Sequence, residues 1–216
     1  THFNTSRVNT FRALFQACEV FNQPVNHFDT SNAEILMLVF QNCPKFNQPV
    51  DTWVTSECVN MNSTFDRCRV FNQDLSTWDT SKVTTFRRMF NGAKVFNQDI
   101  SGWDVSRSSD FSYMFAETDV FNTPLNNWNT ESATTFNSMF YLARVFNQPI
   151  GNWNTKNLVD MEYMFYQGYQ FNQDISQWCV SKSPSYIGWH YQAPIKNNTS
   201  YYPQWGTCPR GEDQVS

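Results

Sequence analysis

Phe-Asn stands at Phe21, Phe46, Phe71, Phe96, Phe121, Phe146 and Phe171, a spacing of 25 residues held through seven copies without insertion or deletion. Such a register constrains the fold more than any composition can, because every unit must bury the same residues against the same neighbours. Phe15, Phe40, Phe65, Phe90, Phe115, Phe140 and Phe165 form a second column, and Phe3, Phe28, Trp53, Trp78, Trp103, Trp128, Trp153 and Trp178 a third. Phe11, Phe86, Phe111 and Phe136 form a fourth, and these columns hold all 20 Phe in the chain. Leu occurs only seven times in 216 residues, so the core is aromatic. The expectation is a solenoid whose coils stack one repeat on the next.

Within one copy, Phe86, Met89, Phe90 and Ala93 fall at i, i+3, i+4 and i+7, which predicts a short helix over 86–93 with one buried face. Val95, Phe96 and Ile100 then read as extended, and Pro24, Pro49, Pro124 and Pro149 in the following column argue against helix there. The stretch Trp103, Asp104, Ser106 reads as a turn. The Asp or Asn at positions 4, 29, 79, 104, 129 and 154 are placed to bond the backbone two residues on.

The pattern Met-Phe, then Ala, then Phe-Asn-Gln-Asp-Ile, then Trp-Asp and Ser runs from Phe86 to Ser106 and, with variations, from Met161 to Ser181. It resembles the 25-residue surface-protein repeat family related to BspA-like leucine-rich repeats, over residues 3 to about 181. The resemblance implies a right-handed leucine-rich-repeat-like coil of about seven repeats, each with short strands and a short helix. It also implies a secreted or cell-surface protein, of adhesive or unassigned role, with no catalytic residues to carry over. Val54 in place of the turn Asp, Thr123 in place of Gln, and the apolar run Ile35 to Phe40 depart from the pattern. The expected organisation is a repeat solenoid over 1–181 and a non-repeating capping tail over 182–216 with Trp189, Tyr191, Tyr201, Tyr202 and Trp205.

Asn22, Asn47, Asn72, Asn97, Asn122, Asn147 and Asn172 are the same in every copy. In coils stacked about 4.8 Å apart they predict an amide ladder that satisfies the backbone at a bend, in preference to a polar binding stripe. The Trp column reads as a buried spine. The six Cys fit an oxidising compartment better than a metal site, since there is no C-x-x-C and His2, His27 and His190 are dispersed. Cys179 and Cys208 are expected to pair and pin the tail. Cys18, Cys43 and Cys68 share a column, and two readings stand side by side: one ladder disulfide with Cys58 taking the third, or buried free thiols. Sequons stand at Asn4, Asn62, Asn197 and Asn198, with Asn62 favoured for a glycan on the assumption that it lies on the outward face of the helix.

Thr1 gives neither Met nor signal peptide, as expected of a processed chain or a piece of a longer one. The first coil has no evident cap, so Phe3, Val8 and Phe11 are expected to face water or a neighbour. Asp74, Asp99 and Asp174 share a column with Asp79 and Asp104 five residues beyond, but Pro replaces the first set in four of seven copies, which suits a turn better than catalysis. Thr5, Thr30, Thr55, Thr80, Thr130 and Thr155 line up as an ice-binding array would, interrupted by Val105 and Val180. Binding is assigned instead to the variable outward columns, at Ile35, Met37 and Leu38 and at Tyr113, Tyr141, Tyr163 and Tyr166. A net charge of -4 with few charged residues disfavours nucleic acid, and no apolar run is long enough for a membrane helix. The reading is a non-enzymatic extracellular or cell-surface protein, structural or adhesive and self-associating or contacting a protein partner, without metal or cofactor. A carbohydrate-binding module, with glycan contact, is the alternative, and an ice-binding solenoid comes after it.

Overall fold

The computed structural model describes residues 4–209 and 211. Each 25-residue unit lies on the one before it, and the units are joined by single parallel bridges in one column: Thr10 to Ile35, Ile35 to Asn60, Asn60 to Thr85, Thr85 to Asp110, Asp110 to Thr135, Thr135 to Asp160 and Asp160 to Ser185. The expected strand is thus reduced to one bridging residue per coil. The expected helix is absent, and the reason is visible in the hydrogen bonds of 86–93.

There the N–H groups of Met89, Asn91 and Ala93 donate to the carbonyls three residues back, Phe86, Arg88 and Phe90, at 3.0, 3.2 and 3.0 Å. The alternate N–H groups, of Phe86, Arg88, Phe90 and Gly92, donate out of the coil to the carbonyls of Asp110, Ser112, Met114 and Ala116 at 2.8–3.1 Å. An α-helix directs every N–H to its own i−4 carbonyl and leaves none for a neighbour. The segment is a chain of β-turns with a left-handed residue every fourth position, Arg88 at φ 55° and Gly92 at φ 67°, a pair that recurs coil after coil. Side chains such as Tyr113 and Glu117 take these positions at roughly 1–2 kcal/mol each, against about 0.5–1.5 kcal/mol for each of the four bonds made to the next coil. The near-four-residue period of linked turns buries Phe86, Met89, Phe90 and Ala93 just as a 3.6-residue helix would, so the apolar stripe could not tell the two apart.

Aromatic rings fill the interior. Phe40 and Phe46 stack within their coil at 3.8 Å, Phe65 and Phe71 at 3.9 Å, and Phe165 and Phe171 at 3.7 Å. Along the stack the same rings repeat at 5.5–6.2 Å. Each Trp from Trp53 to Trp178 donates its indole N–H to a carbonyl of the coil before, Trp103 to Leu75 at 3.1 Å for example. The spine is therefore buried and hydrogen-bonded, unavailable as a sugar platform.

Coil pairing does not stop at 181. Tyr163, Phe165 and Gln167 donate to the carbonyls of Ile187, Trp189 and Tyr191, and the left-handed positions continue at Gly188 and Gln192. The boundary expected between 181 and 182 thus falls inside a paired coil, which runs on to Ala193. Only then does the path change, into the short 3-10 helices Pro194–Asn197 and Thr199–Tyr201. Even here the layer is kept, with Ile195 donating to Phe171 and Ile175 to Tyr201, while Trp189 meets Tyr202 edge to face at 5.1 Å.

At the other end Phe11 is 3% exposed, packed against Phe28 and Trp53 at 6.0 and 6.2 Å, which corrects the expectation that it faces water. Val8 is half-buried against the core, and Phe3 lies outside the described residues. Phe15, Phe21 and Phe28 are only half-buried, unlike their counterparts one coil on.

Candidate functional site

The repeated polar columns are structural. Asn22 accepts the backbone N–H of Asn47 through its side-chain oxygen at 2.9 Å, Asn47 accepts that of Asn72, and the ladder continues through Asn97, Asn122 and Asn147 to Asn172, always at 2.9 Å. Asn198 of the tail places its amide on the Asn172 oxygen at 2.7 Å, giving the ladder a last rung. The Thr column is buried, and Thr30, Thr55, Thr80, Thr130 and Thr155 donate their hydroxyls to carbonyls of the following coil at 2.9 Å. An exposed threonine array is thereby excluded at this column, because the hydroxyls that would order ice are turned inward.

The carboxylates also serve their own loops. Asp74, Asp99 and Asp174 each accept the backbone N–H of the Ser two residues on, as do Asp79 and Asp104. The Ser76 and Ser101 backbone N–H groups, with the serine hydroxyls, hold the carboxyls of Asp74 and Asp99 below the ordinary carboxylate range.

Cys179 and Cys208 form a disulfide. Cys18, Cys43, Cys58 and Cys68 are free thiols, so the ladder disulfide is not made. Cys43 and Cys68 direct their thiols to the carbonyls of Phe15 and Phe40, at 2.8 and 3.0 Å. Burial pushes the Cys43 and Cys58 thiols up to about 11 and Cys68 well above its ordinary value.

Among the sequons, Asn4 and Asn197 are exposed, whereas Asn198 is half-buried in the ladder. Asn62 is half-buried in a turn rather than on a helix, and Ser63 and Thr64 after it are buried, which corrects the outward placement expected for it. Ile35, Met37 and Leu38 are half-buried too, Ile35 being a bridge residue, so the apolar patch expected there is largely covered by its own neighbours.

The tyrosines are brought together. Tyr113, Tyr141, Tyr163 and Tyr166, with Ser138, line a shallow groove of about 440 Å³. Two columns build it. One runs Arg88, Tyr113, Ser138, Tyr163, Gly188 through the first left-handed position of each coil, and the other is a stack of phenol rings, Tyr141 on Tyr166 at 5.0 Å and Tyr166 on Tyr191 at 4.9 Å. The Arg88 guanidinium covers one face of Tyr113 at 4.2 Å from the ring centre, and Tyr163 meets Tyr166 edge to face at 5.9 Å. Burial raises the Tyr141 phenol above its ordinary value, and Tyr166 and the Glu117 carboxylate add to the effect. Sequence reasoning named the four tyrosines but missed Arg88, Ser138, Gly188 and Tyr191 as their neighbours; Ser138 fills the coil between Tyr113 and Tyr163, and reading the same two columns one coil further would have found the other three.

Fold and surface thus define a protein of stacked 25-residue repeats closed by a disulfide-pinned tail. The family model described as "Mycoplasma protein of unknown function, DUF285" matches residues 1–63, 39–141 and 98–202, and the chain belongs to that family. No curated protein and no solved structure matches it. No helix among the described residues is long and apolar enough to cross a membrane.

Proposed function

We propose that the chain is a non-enzymatic extracellular or cell-surface repeat protein with a structural or adhesive role, its coils a right-handed solenoid of the BspA-like leucine-rich-repeat kind. The observation that carries this reading is the division of labour between columns. The Phe and Asn columns that recur in every coil, and the Trp and Thr columns that recur in most, hold one coil to the next, so the variable outward columns are left for contact. The disulfide suits an oxidising compartment. Self-association or contact with a protein partner belongs to the same reading.

The test is adhesion. Inert beads coated with the folded chain should self-associate or adhere to cell-wall or protein-coated surfaces above an albumin control, and beads that do neither would sink the proposal. Carbohydrate binding is the second reading, favoured by the tyrosine groove.

A further inference from the structure

We infer that the groove between Tyr113 and Tyr163 is a subsite for one pyranose ring of a neutral glycan, an inference that rests on the adhesive reading and gives it a ligand class. The columns of Phe15, Phe21 and Trp53 repeat ring upon ring, one per coil, whereas on the outer face the column of Tyr113 alternates ring and gap. Ser138 stands between Tyr113 and Tyr163, so two rings are separated by a coil that contributes no ring. The outer faces of both rings are already taken. Arg88 lies over Tyr113 from the coil before. On the far side Tyr163 rests on Gly188, where a β-carbon would fall 2.8 Å from the ring, so only glycine allows that approach.

The inner space between the rings spans two coils, about 10 Å from the usual spacing of paired backbones. A flat ring placed midway would lie roughly 5 Å from each phenol, within the usual range for stacking on an aromatic face. Buried Ser138 lies in the coil between the two rings, and Tyr141 and Tyr166 complete the lining.

The chemistry of the walls selects the occupant. None of the residues lining the groove is charged, so an anionic or cationic ligand gains no counter-ion from them. Four phenols supply apolar faces for the axial C–H groups of a sugar together with hydroxyls that both donate and accept. An open groove admits an internal residue of a chain, as a surface glycan requires.

Cellohexaose, laminarihexaose, mannohexaose and chitohexaose are the probes, titrated into the intact chain by calorimetry and by saturation-transfer NMR. At least one is expected to bind, with saturation reaching its ring C–H protons, and Tyr113→Ala and Tyr163→Ala should each weaken it at least tenfold. Ser138→Tyr places a ring in the empty rung. Its left-handed φ of 54° is close to the 59° and 55° at which Tyr113 and Tyr163 already sit, so this variant should fold, melt no lower than the parent and lose the sugar. Binding of none of the four probes, or binding that survives Tyr163→Ala or Ser138→Tyr, overturns the subsite. If Ser138→Tyr abolishes no binding yet coated beads still adhere, the subsite falls and the adhesive reading stands; if the beads of the parent do not adhere while a probe binds as described, the reverse holds.

Discussion

Asn147→Ala tests the claim that the invariant asparagines hold the stack together. The Asn147 side-chain oxygen accepts two bonds, from the backbone N–H of Asn172 at 2.9 Å and from the Gln173 amide at 2.9 Å. Alanine removes both and leaves a half-buried backbone N–H with no acceptor. The Gln173 amide keeps its bond to the Asn147 carbonyl at 3.0 Å, so its loss is the smaller part. One net hydrogen bond at about 0.5–1.5 kcal/mol, plus a share of the roughly 1–3 kcal/mol desolvation cost of a stranded donor, gives about 2 kcal/mol. For a chain of this length that corresponds to a fall in Tm of roughly 4–8 °C. Asn147→Asp keeps the acceptor oxygen and should lose less than half as much. Thermal unfolding followed by circular dichroism, with urea titration alongside, measures both variants. A drop below about 0.5 kcal/mol for the alanine variant, or equal drops for Ala and Asp, would refute the ladder as a source of stability.

Replacing Cys179 and Cys208 by Ser, which opens a link between residues 29 apart, should cost about 3 kcal/mol, with hydrogen exchange rising first over 194–209. In the native protein at pH 8, a thiol reagent should modify half-buried Cys18 quickly and Cys43, Cys58 and Cys68 only on unfolding, since burial keeps those three protonated; four equally fast thiols would contradict the structure. The carboxyls of Asp29, Asp74, Asp79 and Asp99 are lowered in the folded chain by their Ser partners, so they favour the fold above the ordinary Asp value of 3.8 and lose that contribution as pH falls through their folded values. A plot of denaturation midpoint against pH should therefore fall below about pH 4, and fall less in a variant with Asn at 74, 79 and 99.

The period was legible because stacking forces it. When each coil buries the next, a column must hold one kind of residue, and Phe90, Trp103 and Asn97 can be assigned to the interior and to the ladder from spacing alone. The pairing of Cys179 with Cys208 was legible for a different reason, since Cys179 ends the last recognisable repeat and Cys208 stands in the tail that must be held against it. The groove was half legible. Tyr141 and Tyr166 share a column, but that Tyr163 leans on Gly188 and that Arg88 covers Tyr113 depends on side-chain directions which spacing does not encode.

What the amino-acid order determined by itself is the repeat length, the identity of the buried columns and the atoms able to bond from coil to coil. What only the tertiary structure decided is the backbone path within a coil. Phe86, Met89, Phe90 and Ala93 suit a helix and a run of β-turns equally, and an isolated segment has nothing to offset the left-handed strain at Arg88. The choice falls to the turns because they free alternate N–H groups for the carbonyls of a neighbouring coil, acceptors that exist only once that coil is in place. The same dependence turned the threonine hydroxyls inward and carried the pairing past residue 181, since in both cases the partner is a backbone 24 residues away in sequence and adjacent only in the stack.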